Sequence, residues 1–129
     1  MLDHIILTVS DFKRSIAFYK KALKPLGITD FVDYDGTDGH PDLKGFGTDD
    51  RYFFWLKEGM PNPAAIHVGF AAGSQAMVNA FFKAAIAAGG RKKTAPAIQH
   101  QYTPTYYETW VLDPDGYDIE VVNKTGQVG

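Results

Sequence analysis

The chain has 129 residues, 45% hydrophobic and 22% charged, the balance of one ordinary globular domain and not of a disordered chain. Thirteen Lys and Arg against fifteen Asp and Glu give a formal net charge of -2, which excludes the strongly basic footprint of a nucleic-acid binder. The absence of cysteine excludes disulfides, thiolate metal sites and a cysteine nucleophile, and no apolar run resembles a membrane span or a secretory leader, so a cytoplasmic protein is expected.

The first element is a strand over Leu2 to Val9, with Ile5, Leu7 and Val9 on one face and His4, Ile6 and Thr8 on the other. Ser10 and Asp11 then offer side-chain oxygens to the free amides of a helix start. Phe12, Ile16, Tyr19 and Leu23 recur at helical spacing until Pro25 and Gly27 end the run. Strand-like runs follow at Asp30 to Tyr34, Lys44 to Phe46 and Arg51 to Lys57. The Gly- and Asp-rich segment 35–50 is expected as a loop, with His40 at the surface or in a lid, and the two-proline segment 59–64 as a linker.

The same order then begins again. Ile66 to Ala71 reads as a strand with His67 second, Gly73 and Ser74 lead into a helix, and Gly89-Gly90 stop it. That helix carries Met77, Val78, Phe81, Phe82, Ala85 and Ile86 on its apolar face. An offset of 63 residues lays His4 on His67, Phe18 on Phe81, Lys20 on Lys83, Ala22 on Ala85 and Gly27 on Gly90. Helices demand apolar residues at such spacing anyway; the shared His, Lys and Gly point to an internal duplication. Three strands follow at Arg91 to Ala95, Tyr106 to Leu112 and Tyr117 to Val122, the last two joined by the turn sequence Asp113-Pro114-Asp115-Gly116. The fold class is therefore α+β: one domain of two tandem βαβββ modules, 1–59 and 65–123, forming a cupped mixed sheet with helices outside.

Alternation places His4, His67 and Glu120 on the concave face, opposite the larger apolar side chains of their strands. A lone carboxylate between Ile119 and Val121 costs several kcal/mol to bury, and a divalent ion would offset that cost. Two imidazoles and one carboxylate form a facial set suited to one divalent ion, Fe, Mn, Ni or Zn, with positions left open for substrate.

Leu2-Asp3-His4-Ile5, the Ser15 to Leu23 helix with Phe18-Tyr19, Ile66-His67-Val68, and Asp113 to Glu120 together resemble the vicinal oxygen chelate superfamily. That superfamily includes glyoxalase I, extradiol dioxygenases, fosfomycin resistance enzymes and bleomycin resistance proteins. The resemblance spans nearly the whole chain and implies paired βαβββ modules around a metal held by His4, His67 and Glu120. It implies a dioxygenase-like or lyase-like reaction on a small molecule that chelates the metal through vicinal oxygens. A glyoxalase I reaction would need a fourth ligand at the place where this chain has Trp55. His100, Tyr102 and Tyr107 are candidate acid/base groups before the last strand, and Trp55, Tyr106 and Trp110 are candidate pocket walls. A homodimer is expected, with a small-molecule substrate and neither nucleic acid nor membrane as partner. The alternative is a non-catalytic protein that sequesters a small molecule, as bleomycin resistance proteins do.

Overall fold

The computed structural model describes residues 1–129. Chain order is β1 (Ile5–Val9), α1 (Phe12–Ala22), a 3-10 turn (Lys24–Leu26), β2 (Asp30–Tyr34), β3 (Leu43–Thr48) and β4 (Arg51–Glu58). The second half has β5 (His67–Ala71), α2 (Gln75–Ala87), β6 (Arg91–Ile98), β7 (Tyr107–Leu112) and β8 (Asp118–Asn123). Each half forms its own four-stranded sheet, in the orders β1-β4-β3-β2 and β5-β8-β7-β6, with no ladder joining the two. In both, the first strand runs parallel to the last, and the other neighbours are antiparallel.

The repeat survives at the level of single backbone groups. Asp11 caps α1 by accepting from the Arg14 amide, and Ser74 caps α2 by accepting from the Met77 amide. These two caps keep the 63-residue offset of the histidines. The paired glycines, in contrast, act differently. Gly27 lies at φ +78 in open space, whereas a Cβ on Gly90 would meet Val111 and Phe18, and the left-handed residue of the second module is Gly89 at φ +103.

Some expectations need correction. Segment 35–50 is only partly loop, because β3 extends over Leu43–Thr48. The strand expected to end at Ala95 continues to Ile98 through two bulges, the second spanning Ala95 and Pro96. Ile86 is 37% exposed, at the margin of the helical apolar face rather than in it. Glu58, at the end of β4, turns its carboxylate onto the amide of Phe12 and completes the N-terminus of α1. The C-terminal tail does the same for α2, its Gln127 and Val128 carbonyls accepting from the Gln75 and Ala76 amides.

One continuous core of 20 buried residues runs through both modules, so neither module closes a core alone. Phe54 and Phe70 meet edge to face at 5.4 Å across the boundary, and Tyr19 packs on Phe54 at 4.9 Å. The turn between β7 and β8 fastens this boundary. Asp113 accepts from the Tyr19 hydroxyl at 2.5 Å and from the Asp115 and Tyr117 amides at 2.9 Å each. Asp115 accepts from the Ser10 hydroxyl at 2.5 Å and from Arg14 at 3.0 Å. The Tyr117 hydroxyl donates to the Thr8 carbonyl and accepts from the Asn62 amide. Asp113→Ala is expected to cost about 2–4 kcal/mol, because it strands a buried hydroxyl and two amides. Ser10→Ala, at an exposed position, should cost less than about 1 kcal/mol. Urea unfolding of both variants tests this, and equal losses would refute the clamp.

Candidate functional site

Strands β5, β7 and β8 bring the polar residues of the second module onto one concave face. Alternation sets Val68, Ile119 and Val121 into the core and leaves His67 and Glu120 on the opposite side. His67 Nε2 lies 2.8 Å from Glu120 Oε1, and the Tyr106 hydroxyl donates to Glu120 Oε2 at 2.8 Å. Trp110, directly opposite Glu120 in the ladder, packs against the His67 ring with centroids 4.5 Å apart and the planes tilted by 57°. Its indole N–H donates to Glu108 Oε2 at 2.8 Å.

Glu108 was not foreseen as a site residue. It keeps the alternation of Tyr106 and Trp110, which face the cup, and its strand neighbours Tyr107 and Thr109 face the other way. That pattern is the signal that could have found it. Glu108 is 4% exposed and Glu120 7% exposed. Burial, with Glu120 as neighbour, pushes Glu108 up to about 7, against the pull of the Trp110 hydrogen bond. Burial would raise Glu120 too, but hydrogen bonds from Glu108, His67 and Tyr106 hold its charged form, and its pKa falls below the ordinary carboxylate range. Burial and the bond to Glu120 raise Tyr106, so its hydroxyl stays protonated as a donor.

The other expected residues lie apart from this group. His4 stands just before β1, about half-exposed, with its Nδ1 2.6 Å from Asp3 Oδ1. It shares a cleft with Ile6, Tyr34, Tyr52 and Trp55 on the concave side of the first sheet. Trp55 pairs with Ile6 in the ladder as Glu120 pairs with Gly69, so the indole occupies the first-module counterpart of Glu120. No cluster of three or more His, Asp or Glu side chains suited to a metal forms within one chain. Tyr107 needs correction: its hydroxyl donates to Asn79 on α2, on the helix side of the sheet and away from Glu120. Tyr106, expected as a wall, takes the place in the site instead. Tyr102 is exposed and packs on Tyr106 at 4.8 Å, and His100 is exposed in the same connection between β6 and β7.

The donor set fits a divalent ion in kind: imidazole nitrogen and carboxylate oxygen, already in contact, with a second carboxylate beside them. It supplies two of the three expected ligands from one module. No helix is long and apolar enough to cross a membrane.

The fold has clear counterparts among known proteins. Among solved structures, a glyoxalase/bleomycin resistance protein from Albidiferax ferrireducens is 25% identical, with 94% of this chain and 96% of that one covered and a TM-score of 0.74. The fosfomycin resistance protein FosX from Listeria monocytogenes is 18% identical, with coverage of 97% and 93% and a TM-score of 0.69, a likeness of fold alone. A variant of that protein was crystallised with Mn(II) and 1S,2S-dihydroxypropylphosphonic acid, and aligns at 17% identity over 99% and 90% of the two chains with a TM-score of 0.67. A search of curated proteins gave no match. Residues 1–121 match the family profile described as Glyoxalase/Bleomycin resistance protein/Dioxygenase superfamily, and the chain belongs to that superfamily.

Proposed function

We propose that the chain is a metal-dependent enzyme in which His67 and Glu120 hold one divalent ion and His4 of a second copy completes the ligand set. The substrate is a small molecule that binds the ion through adjacent oxygens, and the reaction is dioxygenase-like or lyase-like. The observation that carries this reading is the contact of His67 with Glu120, two metal-competent groups converging at 2.8 Å on the concave face of the second sheet. The complex of the Listeria relative with Mn(II) supports a divalent ion in this superfamily.

Separation of His4 from the other two supports a shared site. Both concave faces carry apolar surface, including Ile6, Tyr34 and Tyr102. A two-fold pairing that sets the first module of one copy against the second module of the other would cover both faces and bring His4 to His67 and Glu120. A homodimer with two such sites follows from that pairing.

A divalent ion bound there supplies Lewis-acid stabilisation of charge developing on the chelated oxygens. The protein's own groups divide the remaining work. Tyr106 keeps its proton and steadies the second oxygen of Glu120. Glu108, at about 7, both accepts and releases a proton near neutrality, which suits a general acid/base beside the ion. Trp110 and Tyr106 offer flat walls to a planar substrate, with Tyr102 and His100 at the rim. Trp55 removes the fourth ligand and carboxylate base that a glyoxalase I reaction would use.

Protein purified without a histidine tag should retain divalent metal, measured by elemental analysis, and His4→Ala, His67→Ala and Glu120→Ala should each lose it. Co-expression of the His4→Ala and Glu120→Ala chains should restore about one quarter of the sites, since half of the dimers then contain one intact set. Restoration of none would place the site within one chain. Absence of metal from the wild type would leave the sequestering protein as the better reading.

In chelator-treated protein, Trp110 emission should titrate with a midpoint near 7, and Glu108→Gln should abolish that transition. The native pKa of Glu108 is raised from 4.5, so the stability contributed by its protonated form is full below 4.5 and is lost as pH rises through about 7. Glu108→Gln should therefore gain stability relative to wild type between about pH 5 and about pH 8, as read by thermal unfolding. A gain independent of pH would remove Glu108 from the proton-transfer role.

A further inference from the structure

Asp118 is the first residue of β8 and the ladder partner of His67, which sets the two side chains beside one another. Its Oδ2 lies 4.0 Å from His67 Nδ1, while its Oδ1 accepts from Lys93 Nζ at 2.9 Å. Lys93 owes its position to a bulge. Lys92 pairs with Val111 and Thr94 with Trp110, so Lys93 is the extra residue between them. The bulge turns its ammonium over the Trp110 ring, 5.1 Å from the centroid, and Trp110 is the ring that packs against His67. His67 is thus flanked on three sides: by Asp118 near Nδ1, by Glu120 at Nε2, and by the tilted ring of Trp110. The first module shows the same preference, since Asp3 occupies Nδ1 of His4 at 2.6 Å.

A half-exposed Lys–Asp pair contributes little to stability, about 0–1 kcal/mol, so its value lies elsewhere. A histidine that ligates through one ring nitrogen is oriented by what the other nitrogen donates to, a carboxylate being among the best acceptors. Asp118 faces Nδ1 at 4.0 Å, an ion-pair distance longer than a hydrogen bond, while Nε2 donates to Glu120 at 2.8 Å, so carboxylates flank both ring nitrogens. Once Nε2 gives up its proton to another partner, Nδ1 must carry one, and Asp118 is the acceptor within reach.

We propose that Asp118, anchored by Lys93, is a positioning residue that fixes the ring of His67 so that Nε2 faces the site and Nδ1–H faces Asp118. The effect on metal affinity rests on the proposed role of His67 as a ligand; the ring orientation does not. Both are read by NMR of protein labelled at histidine, with the His67 signals identified by their loss in His67→Gln. In chelator-treated wild type, the carbon-bound ring protons of His67 should be displaced upfield by Trp110. Asp118→Ala should return them toward the values of the exposed His40 and His100, Lys93→Met should do so partly, and Asp118→Asn, which keeps an acceptor oxygen, should preserve most of the displacement. Titration with Zn(II) should show a Kd raised about 10–100-fold in Asp118→Ala, with partial recovery in Asp118→Asn.

Circular dichroism should show all three variants folded, and Lys93→Met, at an exposed position, keeps the test open should Asp118→Ala fail to fold. Ring-proton shifts unchanged in Asp118→Ala and Lys93→Met would overturn the proposal. Should Zn(II) leave the wild-type His67 signals unmoved, the metal-ligand role of His67 fails, and the ring-proton shifts still decide the role of Asp118.

Discussion

The carboxylate of Asp113, 1% exposed, lies where the two modules meet, and the shape of the site depends on it. Burial raises its pKa although the Tyr19 hydroxyl and two amides hold the charged form. Such a group is tolerated only where all its partners are in place, so the turn that carries it has one register and one docking position. Strand β8 begins five residues later, and that start determines which of its residues meets His67. Asp115 and Tyr117, from the same turn, tie α1 and β1 to it. Because these ties lie on the helix side, the concave sides of both sheets stay accessible.

The fold was readable because duplication doubled every weak signal. A His in a strand, a cap before a helix and a glycine after it say little once; repeated at one offset they define two modules. The contact of His67 with Glu120 was readable for a related reason: strict alternation puts both on the face opposite large apolar groups. Alternation also held information that went unused. It separates Tyr106, Glu108 and Trp110 from Tyr107, Thr109 and Val111, which places Glu108 on the face of Glu120 and turns Tyr107 toward α2. The remainder depends on distances the linear pattern does not carry. Nothing in residues 1–9 states how far His4 stands from β5, and the turn at Asp113 to Gly116 reads as a hairpin until its partners, 94 to 105 positions away, are known.

The modules also show how copies of one unit diverge. The framework is conserved in kind between them: caps, buried Phe18 and Phe81, and parallel pairing of first and last strands. Divergence concentrates on the concave faces. The first carries one imidazole and the indole of Trp55, and the second an imidazole, two carboxylates and Trp110. Core positions answer to packing and tolerate little change, whereas residues facing an open cup answer only to what enters it.

The bulges of β6 have a consequence beyond the placement of Lys93. Strands β2 and β6 each form one edge of their sheet, the other edges being β1 and β5, and an unguarded edge is a template on which further chains add by backbone pairing. Both are poor templates. β6 is interrupted at Lys93 and again at Ala95-Pro96, and it opens with Arg91, Lys92 and Lys93; β2 carries Asp30 and Asp33 in five residues. Growth by backbone pairing is thereby discouraged at these two edges. A chain added at β2 or β6 would have to pair across these interruptions and charges, so neither sheet offers a smooth run of backbone groups for extension on that side.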